Sequence, residues 1–145
     1  EALVSGDMER VSTLLGRPYT VRGPVLHGDQ RGRTIGFPTL NIGISADRAL
    51  PPNGVYVTLA SLGNGSRLPG CTNIGLQPTF DGQERRVETH ILDFDDDLYG
   101  EVVSIELHHR LRDEQKFDGV DALVDQIRSD VTRTAEYFAN LETND

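Results

Sequence analysis

"VETHILDF", residues 87 to 94, sends its side chains alternately to two sides: Val87, Thr89 and Ile91 fall on one face, Glu88, His90 and Leu92 on the other. A period of two is the mark of an extended strand with one face in a core. The same texture runs outward in both directions, from Tyr19 to Arg110, through "YTVRGPVLH" (19–27), "GVYVTLASL" (54–62), "CTNIGL" (71–76) and "VVSIELHHRL" (102–111). Clusters of Gly, Pro, Asn and Asp separate these runs and supply the turns. Five or six strands within about ninety residues predict a barrel or sandwich, and the size suits a small closed barrel.

Helices flank the strand region. "SGDMERVSTLLGRPY" (5–19) predicts a short helix with Asp7 as N-cap, Met8, Val11, Leu14 and Leu15 on one face, and Gly16 as the stop. Near the C-terminus, Val120, Leu123, Val124, Ile127, Val131, Ala135 and Phe138 recur at helical spacing. They predict an amphipathic helix of about twenty residues packed on the barrel, with Asp118 and Asp121 as a cap pair at its start.

The chain has 145 residues, enough for one domain with its own core. No apolar run approaches the roughly 20 residues of a membrane span, and the start lacks the basic-then-apolar order of a secretory signal. A single cysteine, Cys71, allows no internal disulfide and reads as a small core residue. The expectation is a cytoplasmic protein without a membrane partner. A net charge of -9 disfavours nucleic acid as a partner. The acids are unevenly spread: residues 1–48 hold six Arg against five acids, whereas residues 88–145 hold five Lys/Arg against sixteen. An anionic small ligand is therefore better tolerated in the N-terminal third. A first residue that is Glu and not Met reads as a fragment of something longer.

Several stretches carry possible chemistry. "HGDQRGRT" (27–34) offers Gly28, Gly32, Arg33 and Thr34, one residue short of a phosphate-binding G-x-x-x-x-G-K-[ST] loop and followed by strand instead of helix. It is open to two readings, a surface hairpin or a backbone anion loop neutralised by Arg31 or Arg33. In "TIGFPTLN" (34–41), Pro38 interrupts what would be a sheet ladder, so the stretch is either an edge or a site. Thr39 and Asn41, two apart, share a face; they either satisfy backbone groups at a strand end or present two neutral oxygens to magnesium and a phosphate. Glu88, between apolar neighbours, is either a surface partner of Arg85 or Arg86 or a carboxylate placed to accept a hydroxyl proton. "DFDDDLYG" (93–100) fails as a calcium loop, having Leu98 where Gly is needed and Ser104 in place of the final Glu. It reads as a solvated turn. The four histidines repeat no metal-ligand spacing, and there is no G-x-S-x-G elbow.

Five motifs in order, "HGDQRGRTIGFPTLN", "LPPNGVY", "GCTNIGLQPTF", "ETHILDFDDDLYG" and "LRDEQKFDG", resemble the riboflavin kinase family over nearly all of residues 17–139. The resemblance implies a mainly β protein, a six-stranded antiparallel (Greek-key) barrel with a long C-terminal α-helix and a short N-terminal helix. It also implies transfer of the ATP γ-phosphoryl group to riboflavin, with Mg2+, giving ADP and FMN. On this reading Thr39 and Asn41 bind the metal, Glu88 is the catalytic base, and Gly28, Gly32, Arg33 and Thr34 form the phosphate loop. Gly36, Phe37 and Pro38 lead into the metal motif. Asn73 and Thr79 belong to a motif on the nucleotide side, and Arg112, Glu114 and Phe117 to a loop closing over the flavin. Leu40 departs from the Ala common at its position; by alternation it faces away from the metal. Residues 1–19 resemble the connection from an FMN adenylyltransferase module in bacterial bifunctional FAD synthetases. The implied organisation is a linker helix over 1–16 and a kinase domain over 17–145. The rival reading is a flavin- or nucleotide-binding barrel without catalysis.

Overall fold

In the structure, a computed structural model, residues 2–26, 36–45, 48–79, 82–94 and 98–143 are described. Six strands, β1 (Tyr19–Leu26), β2 (Leu40–Ile42), β3 (Gly54–Ser61), β4 (Arg67–Thr79), β5 (Gly82–Ile91) and β6 (Val102–Arg112), close into a barrel in the order β1-β2-β5-β4-β3-β6. Every pairing is antiparallel. β3, β4 and β5 form a meander and β6 returns beside β3, which is the Greek-key order. β2 joins β1 to β5 and is paired on both sides, while Pro38 lies just outside it.

The alternation seen in residues 87–94 is what fills the barrel. Val87 and Ile91 face inward with Val21, Val25, Ile42, Tyr56, Ala60, Ile74, Val103, Ile105 and Leu107. Thr58, Thr72 and Thr89 also point inward and are fully buried. Their hydroxyls form a ladder: Thr89 to Thr72 at 2.7 Å, Thr72 to Thr58 at 2.9 Å, and Thr58 donating to the Gly70 carbonyl at 3.0 Å. With every hydroxyl proton used, polar atoms sit in an apolar core at little cost.

Two short helices, α1 (Ala2–Ser5) and α2 (Met8–Leu15), precede the barrel. Asp7 caps α2 by accepting from the Arg10 amide at 3.1 Å, and Gly16 ends it in the left-handed conformation. Met8 and Val11 enter the core cluster, but Leu14 and Leu15 are 69% and 55% exposed. The expected four-residue apolar face is thus half realised. α2 packs on β1 and β6.

The C-terminal helix α3 (Val120–Thr143) covers the outside of β4 and β3. Its most buried residues are not the predicted apolar ones: Asp130 and Thr134 are 3% and 0% exposed, while Val120 is 58% exposed and Ala135 is also on the surface. The cause is the surface the helix meets. Cys71 on the outer side of β4 lies 3.0 Å from the Thr134 hydroxyl, and the Arg112 guanidinium forks onto Asp130. Cys71 is buried as expected, against the helix instead of in the barrel interior. Among the described residues no helix is long and apolar enough to cross a membrane.

Candidate active site

Strand register gathers residues far apart in the chain. Asn41 on β2 is the direct partner of Glu88 on β5, and Glu88 that of Asn73 on β4. Asn73 in turn partners Val55 on β3, which partners Arg112 on β6. Directly opposed side chains on one sheet face have Cβ atoms about 4.5–5.5 Å apart. Asn41, Glu88 and Asn73 therefore stand side by side. The row is on the outer wall, because Val87, Thr89, Thr72 and Ile74 take the inward positions. Thr39 is exposed and lies just ahead of β2, two residues before Asn41. Leu40 packs against the core, as the alternation predicts.

The approach to β2 is held by side chains where proline denies it a ladder bond. His90 Nδ1–H donates to the Pro38 carbonyl at 2.8 Å, and the Phe37 ring meets the His90 ring edge-on at 5.5 Å. Pro38 and Phe37 are thus held against His90 of β5, just ahead of β2. Gly36, exposed, turns with φ 90° just ahead of them.

On one side of the row, residues 113–119 connect β6 to α3. Arg110 donates to the Asn53 carbonyl and to Asp113 Oδ1, both at 2.7 Å. Arg112 donates through Nε and Nη2 to Asp130 at 3.0 and 2.7 Å and through Nη1 to the Asp113 carbonyl at 3.1 Å. Its guanidinium also lies 5.9 Å from the Phe117 ring. Arg112 belongs to the row by register, but its charged end is committed to α3 and to the loop. Glu114 lies against β4 at Gly75, two residues along from Asn73.

On the other side of Asn41 is a cleft of about 510 Å³ lined by Leu26, Asn41, Arg48, Leu50, Glu84 and Arg86, among others. Its walls are strapped in place. Arg85 donates to the carbonyls of Leu50 and Pro51 and to Asn53 Oδ1, Arg48 donates to the Thr20 carbonyl and covers the Tyr19 ring, and the Tyr19 hydroxyl donates to the Ala49 carbonyl at 2.6 Å. Arg86 meets Glu84 at 3.5 Å. Gly28, Gly32, Arg33 and Thr34 lie outside the described residues, as does the side chain of Thr79. Leu26, the last described residue before Gly28, lines the cleft.

Two residues of this neighbourhood have no motif to betray them. Asp130 carried a signal, an acid on the helical stripe of Leu123, Ile127 and Thr134 that calls for a buried cationic partner. Gly75 carried a weaker one, a glycine inside a strand pattern. Burial also pushes the Cys71 thiol beneath α3 up to about 11, with its Thr134 contact acting in the opposite direction.

The architecture is that of the closed six-stranded Greek-key barrels, with its polar site on the outer wall and not in the lumen. A riboflavin kinase family model (Flavokinase) matches residues 15–138. The chain belongs to the riboflavin kinase family. It is 44% identical over 145 residues to the bifunctional riboflavin kinase/FMN adenylyltransferase of Bacillus subtilis (strain 168), covering 97% of this chain and 45% of the relative. The protein of the same description from Escherichia coli (strain K12) is 40% identical over 139 residues, covering 95% and 44%. The chain spans less than half the length of these relatives. Among solved structures, riboflavin kinase from Trypanosoma brucei matches with a TM-score of 0.61 at 29% identity, over 84% of this chain and 80% of that one. A Streptococcus pneumoniae protein described as a macrolide-efflux protein matches with a TM-score of 0.86 at 41% identity, over 92% of this chain and 44% of that one.

Proposed function

We propose that this chain transfers the γ-phosphoryl group of ATP to the 5′-hydroxyl of riboflavin, yielding FMN and ADP in the cytoplasm. The observation that carries the reading is the register that sets Glu88 between Asn41 and Asn73. Glu88 accepts the proton of the ribityl 5′-hydroxyl as that oxygen bonds to the γ-phosphorus. The bond from the γ-phosphorus to the β,γ-bridging oxygen breaks, and ADP leaves. Such transfers pass through a loose transition state that asks for alignment and charge neutralisation more than for covalent help.

Thr39 and Asn41 offer a hydroxyl and an amide oxygen on one face, a donor set suited to magnesium, which keeps most of its shell as water and phosphate oxygens. No group of three or more His, Cys, Asp or Glu able to hold a metal occurs among the described residues, which fits a site completed by the nucleotide. The bound ion would neutralise the phosphate oxygens. The cleft beyond Asn41 takes the nucleotide, with Gly28, Gly32, Arg33 and Thr34 at its phosphates, Gly36, Phe37 and Pro38 setting the approach, and Thr79 on the nucleotide side; Asn73, expected there from its motif, stands across Glu88 from Asn41 and so goes with the flavin wall. Arg112, Glu114 and Phe117 belong to the wall over the flavin.

Residues 1–16 connect this unit to an adenylyltransferase module of the kind named for the relatives, and residues 17–145 are the kinase domain. Incubating the purified chain with riboflavin, ATP and Mg2+ and separating the flavins by chromatography tests the proposal. FMN without FAD is the expected product pattern. A folded chain that binds flavin and forms no FMN would favour the non-catalytic barrel.

A further inference from the structure

We propose that Gly75 is the seat on which Glu114 closes the 113–119 segment over the outer wall, making position 75 a positioning residue for the riboflavin site. The proposal rests on the kinase reading above. A methyl carbon placed on Gly75 would lie 1.8 Å from Glu114 Oε2, 2.7 Å from Cδ and 3.1 Å from Oε1. No side chain fits there while Glu114 stays. Gly75 is in the middle of β4, paired with Arg86, and is not among the glycines with positive φ. Its backbone is one that any residue adopts, so what a methyl there must displace is the carboxylate end of Glu114, an exposed and flexible side chain.

The seat is also in the right place. Gly75 is two residues from Asn73 on the same face, about 7 Å along the strand. The segment is already tied at its start by Arg110 to Asp113 and by Arg112 to Asp130. Glu114 against Gly75 adds a contact on the side nearer Glu88, and what occupies position 75 therefore bears on how far the segment stands off the sheet. That distance sets the width of the space left for the vitamin.

The sequence supplies a probe of this closure. Lys116, exposed and two residues past Glu114, is the only lysine in the chain, so a lysine-specific protease reports on this segment alone. With opening and closing fast, cleavage tracks the open population. Gly75→Ala is expected to accelerate native-state cleavage at Lys116 roughly 10-fold and to raise the riboflavin KM by the factor by which the closed fraction falls, with kcat and the ATP KM within about 2-fold. Glu114→Ala should open the segment equally. The double variant should be cleaved no faster than Glu114→Ala alone, because the added methyl then meets nothing.

Unchanged cleavage in Gly75→Ala, additive effects in the double variant, or faster cleavage with an unchanged riboflavin KM would each overturn the proposal. If Gly75→Ala fails to fold, a folded double variant supports the seat and an unfolded one overturns it. Should the unaltered chain form no FMN, the kinase reading falls, while the cleavage comparison still decides whether Gly75 seats Glu114.

Discussion

Replacing Asp130 by alanine removes the acceptor for Arg112 Nε at 3.0 and 3.2 Å, for its Nη2 at 2.7 Å and for Gln126 Nε2 at 3.1 Å. The side chains of Arg112 and Asp130 are only 16% and 4% exposed. An exposed ion pair contributes at most about 1 kcal/mol, whereas breaking a buried one costs about 3–5 kcal/mol because the surviving charge stays out of water. Arg112 keeps some solvent contact, which places the expected loss near the lower end, about 3 kcal/mol. For a domain of this size that lowers Tm by roughly 10 °C and the urea midpoint by about 1.5 M. Thermal and urea unfolding followed by circular dichroism would measure both. Arg112→Met combined with Asp130→Leu removes the two charges together and should recover stability to within about 1 kcal/mol of the parent. A loss below about 1 kcal/mol in Asp130→Ala, or a double variant as unstable as the single one, would refute the reasoning that a buried charge pair fastens α3 to β6.

Glu88→Gln keeps the shape of the side chain and removes its basicity; turnover should fall about 10²- to 10⁴-fold with flavin and nucleotide affinities within a few-fold, as read by steady-state kinetics and titration. Gly23→Ala would put a methyl 1.8 Å from the Gly43 carbonyl oxygen, where backbone and not a movable side chain must give way. It should loosen β2, lowering Tm and FMN formation together. The Cys71 thiol, raised by burial to about 11, favours its protonated form in the folded state more than in the unfolded chain. Stability should therefore be intact below about pH 9 and fall by about 2–3 kcal/mol toward pH 11, and Cys71→Ala should flatten that part of the profile. Thr72→Val leaves the Thr89 hydroxyl without its acceptor inside the barrel, while Thr58 keeps the Gly70 carbonyl; the expected cost is about 1–2 kcal/mol by urea unfolding.

The strands were legible because period two is a local property: Val87, Thr89 and Ile91 announce an inner face whichever strands lie beside them. The caps of α2 were legible for the same reason, since the Asp7 side chain and the Gly16 backbone act within a few residues. Where an element's burial depends on what it meets, local pattern fell short. Leu14 and Leu15 repeat the spacing of Met8 and Val11 yet find no surface, and the α3 stripe is most buried at Asp130 and Thr134 because Arg112 and Cys71 are waiting there.

The sequence by itself determined the kind of structure and its candidate chemistry. Alternation, turn residues and the ordered motifs are written along the chain and need no partner to be read. Only the tertiary structure decided that Asn41, Glu88, Asn73, Val55 and Arg112 form one row, that the row is on the outer wall, and that Gly75 gives way to Glu114. Those facts depend on strand register and barrel closure, which are settled by contacts between residues far apart in the chain, such as the pairing of Tyr19 with Leu107, and no local pattern encodes such pairings.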